Sequence, residues 1–195
     1  MSKLIVEEIS AVIFELRQYT LHPGRRDELI DLFERDLIAP QEEAGMRILG
    51  QFRDLDDPDR FVWMRSFPDM EARLDALSRF YGGPIWKAHR DAANATMIDS
   101  DDVLLLRLVD PLRGLPPTAR ITTIYSFARP VDSDAVRSVP SAWFRTEYAE
   151  NSYPALPVRA DNVIVTFALP ALDVPGLQSS PRQLRLEATA NSQMR

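Results

Sequence analysis

Cysteine is absent from the 195-residue sequence, which excludes disulfides, thiolate metal ligands and thiol nucleophiles together. Histidine occurs only twice, as His22 and His89, and there is no H-E-x-x-H, so a zinc centre is not expected and the metal assignment is none. G-x-S-x-G, G-x-G-x-x-G and P-loop patterns are also missing, which argues against the common hydrolase, dinucleotide and nucleotide-phosphate chemistries. No basic excess exists: the net charge of −6 is the wrong sign for a nucleic-acid backbone. No apolar run approaches the roughly 18 residues of a membrane span. The N-terminal "MSKLIVEEISAVIFELR" lacks both the long apolar core of a signal peptide and the Arg-rich bias of a presequence. A soluble, cytoplasmic protein that touches neither nucleic acid nor membrane is the expectation, and lack of cysteine fits a reducing compartment.

What is present is an ordinary globular balance, 45% hydrophobic and 27% charged, long enough for one compact unit or two small ones. Residues 11–21 alternate as a strand that ends at "HPG". A helix with Leu29, Ile30, Phe33, Leu37 and Ile38 at helical spacing follows, disturbed at Pro40 and stopped at Gly45. "MRILGQFR" and "RFVWMRSF" read as two further strands around the acidic turn "DLDDPD", which lacks the central Gly of a calcium loop. Asp69 caps a helix with Met70, Leu74 and Leu77 on one side, Pro84 opens another, and "DVLLLRLVD" is a closing strand. The order β-α-β-β-α-β is that of a ferredoxin-like unit, whose sheet is covered by helices on one face only. An apolar open face of that size has to be covered.

The sequence supplies the cover by repeating itself. "FELRQYTLHPGRRDELIDLFE" is echoed by "TTIYSFARPVDSDAVRS", with Tyr125 following Tyr19 by 106 positions. "AVRSVPSAWFRTEYAENSYP" stands for the first helix, "LPVRADNVIVTFALP" condenses the hairpin, with Pro170 for Pro68, and "RQLRLEATA" is the last strand. The second copy is shorter mainly between its third and fourth strands, where only "ALDVPGLQSSP" remains. The expected organisation is a repeat over 1–110, a linker over 111–117 and a shortened repeat over 118–195. The fold class is α+β: tandem ferredoxin-like repeats whose antiparallel sheets pair into an intramolecular, pseudo-dimeric α/β barrel. Such a barrel encloses side chains or one small ligand. Internal pairing allows a monomer, although a homo-oligomer stays open.

The first half resembles the NIPSNAP family of the dimeric α/β-barrel superfamily. The resemblance is carried by Phe14-Glu15-Leu16-Arg17, Tyr19, Pro23-Gly24, Trp63 and Trp86, within "FELRQYTLHPGRRDELIDLFE", "VWMRSF" and "PIWKAHRDAANATM". It implies a paired barrel, in a superfamily that includes cofactor-independent monooxygenases, haem-associated enzymes and small-molecule isomerases.

Glu15, Arg17 and Tyr19 share one face of the first strand. With Val12, Phe14 and Leu16 toward the helices, this trio is expected to point into the barrel and grip a polar ligand group, with a desolvated Glu15 as base. The same residues also read as a structural ion pair. His89 is the fourth catalytic candidate, as a general base or a single haem ligand, against an ordinary structural role. Trp63, Arg65, Trp86 and the echo residue Tyr125 form the expected ligand-binding set, suited to a planar apolar or aromatic molecule, with core packing as the alternative. In the repeat Ile121 and Thr123 replace Glu15 and Arg17, so a polar site is expected in one half only. The functional expectation is a small-molecule binding protein with its ligand in the barrel or, if an enzyme, a cofactor-independent monooxygenase or a proton-transfer isomerase, with no cofactor. A non-catalytic scaffold with a filled barrel, or a haem protein using His89, are the alternatives.

Overall fold

The computed structural model describes residues 12–110, 116, 118–167 and 171–195. β1 (Ile13–Leu21) gives way to a turn in which Gly24 takes φ +76°, a left-handed value open to glycine without a Cβ clash. α1 (Arg26–Leu32) follows, then a π-helical turn over Phe33–Leu37, then α2 (Ile38–Glu43). Pro40 accounts for the widened turn: it has no N–H to offer Asp36 and its ring crowds that carbonyl, so the ladder loosens upstream. Next come β2 (Arg47–Asp54) and β3 (Arg60–Phe67). α3 (Met70–Gly82) is capped by Asp69, whose carboxylate accepts the Ala72 N–H at 2.8 Å. α4 (Pro84–Asn94) begins at a proline, and β4 (Met97–Leu108) ends the first unit.

The second half holds β5 (Ile121–Phe127), α5 (Ser133–Ser138), β6 (Phe144–Thr146), β7 (Asn162–Phe167) and β8 (Arg182–Ala188). It departs from the expected layout. The stretch read as its first helix is helical only to Ser138, the end of the six-residue α5, before Pro140 and Ser141, the latter at φ +55°. The first strand of its hairpin is β6, inside that stretch, and residues 147–161 form a long connection without regular structure. The linker, apart from Pro116, falls outside the described residues, as do residues 1–11 and Pro170.

The eight strands close into a barrel in the order β1-β3-β2-β8-β5-β7-β6-β4. Each half therefore contributes a sheet of the same order, β4-β1-β3-β2 and β8-β5-β7-β6. The halves join edge to edge. Phe52, Arg53 and Asp54 pair with Ala188, Glu187 and Leu186 at one seam, and Leu106, Arg107 and Leu108 with Thr146, Arg145 and Phe144 at the other. Each sheet thus covers part of its partner's exposed edges and closes the barrel.

The enclosed space is filled. Phe14, Leu16 and Leu106 meet Phe144, Val165 and Leu184 there, and the Phe14 and Phe144 rings approach to 4.8 Å. This overturns the expected ligand chamber within the barrel. An eight-stranded barrel is just wide enough for its own inward side chains, and here those are large and apolar. A second apolar cluster lies outside the barrel under α1–α4, built on Tyr19, Phe33, Phe61, Trp63 and Phe80. A third lies outside the other half, around Tyr125, Phe127 and Ile164.

Candidate functional site beneath the helices

β1 sends Phe14 and Leu16 inward, so Glu15, Arg17 and Tyr19 face outward, toward the helices. The expected orientation of the trio is thus reversed. The inward neighbours of Phe14 and Leu16 are apolar, whereas the outer face brings Arg65 directly opposite Glu15 on β3 and Arg73 down from α3. The Glu15 carboxylate is fully buried and accepts from all three guanidiniums: Arg65 Nε at 2.7 Å, Arg73 Nε at 2.7 Å and Arg17 Nη1 at 2.8 Å. Burial pushes the Glu15 carboxyl up, but Arg65, Arg17 and Arg73 outweigh it and hold the group well below the usual carboxylate range. Glu15 is therefore a fixed anion. The expectation of a base with a raised pKa is corrected by its three cationic neighbours.

One carboxylate against three guanidiniums leaves two positive charges in excess, with none of the four residues more than 1% exposed. Aromatic faces offset part of this: the Arg17 and Arg65 guanidiniums lie 5.4 and 5.0 Å from the centre of Trp63, and Arg65 and Arg73 lie 5.4 and 6.0 Å from that of Phe67. Some donors stay unused. Among the described residues Arg73 Nη2 and Trp63 Nε1 have no hydrogen-bond acceptor, and Arg65 Nη2 lies 2.7 Å from Glu15 without the alignment of a hydrogen bond.

Next to this cluster is a space of about 30 Å³ walled by Phe33, Leu37, Trp63, Phe80, Tyr81 and Trp86. Two polar side chains on its wall reach back to the charges. Tyr19 accepts from Arg17 Nε at 3.0 Å, and Gln41 accepts from Arg65 Nη1 at 3.0 Å while donating to the Leu37 carbonyl. Burial raises the Tyr19 phenol above its ordinary value against the lowering effect of Arg17, so it remains protonated. Because its oxygen already accepts, the Tyr19 O–H is left to donate. Phe33 and Leu37 bracket the π-helical turn, a distortion that often marks functional sites.

The structure therefore brings together Glu15, Arg17, Tyr19, Trp63, Arg65 and Trp86, but leaves two candidates elsewhere. His89 is half-exposed on α4, 3.6 Å from Asp36 of the π-helical turn, because that helix lies at the rim and buries only Ala93. This places it outside the space. Tyr125 lies in the outer cluster of the second half, accepting the Leu172 N–H at 3.1 Å, because the barrel wall separates the two outer faces.

Arg73 and Gln41 complete the site. Arg73 was legible: Arg73, Ala76, Leu77 and Phe80 are the buried stripe of α3, whereas Leu74, expected on that stripe, is 40% exposed. An Arg at the centre of an apolar helical stripe signals a buried partner. The second half also contributes. Its β6–β7 connection lays Asn151 and Ser152 onto Arg73 Nη1, at 2.9 and 3.2 Å, and stacks Tyr153 on Tyr81. Nothing in the sequence pattern locates that contact, which depends on how the two halves close.

Among the described residues no helix is long and apolar enough to cross a membrane. Comparison with curated proteins gives no match. Similar solved structures include a NIPSNAP-like domain protein from Burkholderia xenovorans, 24% identical over 49% of this chain and 84% of that one, with a TM-score of 0.45. A NIPSNAP family protein of unknown function from Agrobacterium tumefaciens is 17% identical over 50% of this chain and 88% of that one, with a TM-score of 0.47. A protein from Nitrosomonas europaea, provisionally named an antibiotic biosynthesis monooxygenase, is 12% identical over 52% and 94%, with a TM-score of 0.44. The NIPSNAP family model matches residues 14–111, half of the sequence and the whole of the segment that builds the buried charge cluster, and the chain belongs to the NIPSNAP family.

Proposed function

We propose that this protein binds a small hydroxylated aromatic molecule beneath its helices, outside the barrel, and oxidises it with dioxygen without a resident cofactor. The observation that carries this reading is Tyr19: a buried phenol, held at its oxygen by Arg17 and free to donate its proton, on the wall of an aromatic-lined space. A ligand hydroxyl accepting from Tyr19 lies beside a cluster with two excess positive charges, which favours the ligand's anion. Such an anion forms by loss of a proton to water and needs no protein base. That matters because Glu15 is held ionised by its guanidinium partners and, among the described residues, no His or carboxylate lines the space. The electron-rich anion reduces O₂ directly: the ring C–H para to the hydroxyl and the C–O carbon itself both become C=O, one O₂ is consumed and one H₂O is released. Isomerisation by proton transfer requires a base at the substrate carbon and fits less well.

The space of about 30 Å³ holds roughly one water, so a ring enters only as the helices part. The π-helical turn carrying Phe33 and Leu37 is where the helical ladder is already loosened. The test is oxygen uptake with hydroxylated aromatics in chelator-treated buffer. Uptake that Tyr19→Phe abolishes is expected, and uptake indifferent to that change rejects the role of Tyr19. The filled barrel favours a second reading, a non-catalytic scaffold. Absence of any saturable shift of the Trp63 and Trp86 indole NMR signals with phenol selects it.

A further inference from the structure

We propose that the buried arginine cluster is a subsite for a carboxylate, reached when the β6–β7 connection releases Arg73, so that the molecule bound is an aromatic acid. The proposal rests on the reading that an aromatic ring occupies the space beneath the helices, and adds the acid group. Four observations carry it.

First, the charges do not balance. Among the described residues Glu15 is the single carboxylate that pairs with Arg17, Arg65 and Arg73, and all four residues are buried. Buried charges are ordinarily paired one to one, and one further anion removes half of the excess here. Second, a donor is waiting: Arg73 Nη2 is buried without an acceptor among the described residues. Third, the group that occupies the other end of Arg73 is weak and replaceable. Among the described residues Nη1 donates to two neutral side chains, Asn151 Oδ1 and Ser152 Oγ, both on a connection without regular structure. A carboxylate offers Nη1 and Nη2 together a bidentate, charge-assisted pair in place of two neutral contacts. Fourth, the same connection covers the aromatic space. Tyr153 stacks on Tyr81 at 6.1 Å, Tyr81 lines the space, and Leu156 packs into the cluster beneath the helices. Movement of one segment thus exposes the cation and loosens the ring pocket together.

The inference gives the second half a task. Its outer face is apolar around Tyr125 and Ile164. It supplies the strap that closes the site of the first half.

The test compares benzoate with benzyl alcohol, of similar size but uncharged, on the full chain, by NMR of the arginine Nε–H and tryptophan indole signals. Benzoate is expected to bind at least tenfold more tightly than benzyl alcohol and to move the Arg73 signal saturably. Arg73→Gln is expected to abolish that preference. Asn151→Ala/Ser152→Ala, which frees Arg73 without touching the cluster's charges, is expected to tighten benzoate severalfold and leave the alcohol unaffected. Equal affinities for the two, with Arg73 unmoved, overturn the acid subsite while leaving the aromatic site standing. Benzoate that moves Arg73 but neither Trp63 nor Trp86 supports the subsite and removes the aromatic pocket. Binding of neither compound overturns both. Should Arg73→Gln fail to fold, the double variant decides alone: unchanged benzoate affinity overturns the proposal.

Discussion

The outer faces of the two halves share a strand order and differ in nearly everything laid upon it. On the first, β1 and β3 carry Glu15, Arg17 and Arg65 under α1 to α4, with Arg73 inserted from above. On the second, β5 and β7 carry Tyr125 and Ile164 under one six-residue helix and apolar side chains such as Val131, Val139 and Val174. The lesson is a separation of tasks. Closing the barrel needs only strand edges and inward side chains, which both halves supply. A charged site needs helices to bury it, and only the first half retains them.

The sharpest way to break this comparison is at Glu15. Glu15→Gln leaves three buried guanidiniums without their shared counter-charge, and a loss of about 3–5 kcal/mol is expected from urea unfolding. The corresponding position of the other half, Ile121→Val, is expected to lose about 0.5–1.5 kcal/mol. Equal losses would mean that the charged cluster is no more essential than its apolar counterpart. The pH dependence sharpens the point. The folded Glu15 carboxyl lies well below its ordinary value, so its stabilisation is complete above the unfolded pKa and declines as acid protonates the unfolded chain. The stability gap between wild type and Glu15→Gln is therefore expected to narrow as pH falls below about 4, and a gap that stays constant on acidification contradicts the ion cluster.

A smaller effect separates the two tyrosines. Tyr19→Phe removes the acceptor of a buried guanidinium N–H and is expected to cost about 1.5–3 kcal/mol. Tyr125→Phe removes the acceptor of one backbone N–H and is expected to cost about 0.5–1.5 kcal/mol, measured in the same way. The smallest change concerns the segment that joins the halves. Tyr153→Ala removes the stack on Tyr81, an aromatic contact worth about 0.5–1.5 kcal/mol. Faster amide hydrogen exchange across residues 147–161 is expected, with exchange of the barrel strands unaltered. Acceleration spread through β1 and β3 would show that the strap is part of the core.

Local signals were readable where chain chemistry acts alone. Gly24 and Gly45 stop their elements at positive φ, Asp69 caps α3 through its own carboxylate, and β3 runs from Arg60 to Phe67 as its composition indicates. The pairing of Tyr19 with Tyr125 is also sound as to face, since both lie outside the barrel. The direction of that face was not readable. Both sides of β1 end up buried, Phe14 and Leu16 on one and Ile13 and Leu21 on the other, so alternation alone could not say which side the helices cover. The stretch from Ala135 to Pro154 misled for a related reason: its helix-like composition was overruled by the need for β6 to pair with β4 at the seam.

By itself the sequence determined the strand and helix order of the first half, the repetition that lets one chain close its own barrel, and the set of polar residues on β1. Those follow from spacing, turn chemistry and hydrophobic count along the chain. Only the tertiary structure decided that the barrel interior is solid and that Glu15 is shared by three arginines from β1, β3 and α3. It also decided that a connection from the far half closes over Arg73. Each of these depends on residues distant in sequence, and electrostatics and packing act through space rather than along the backbone.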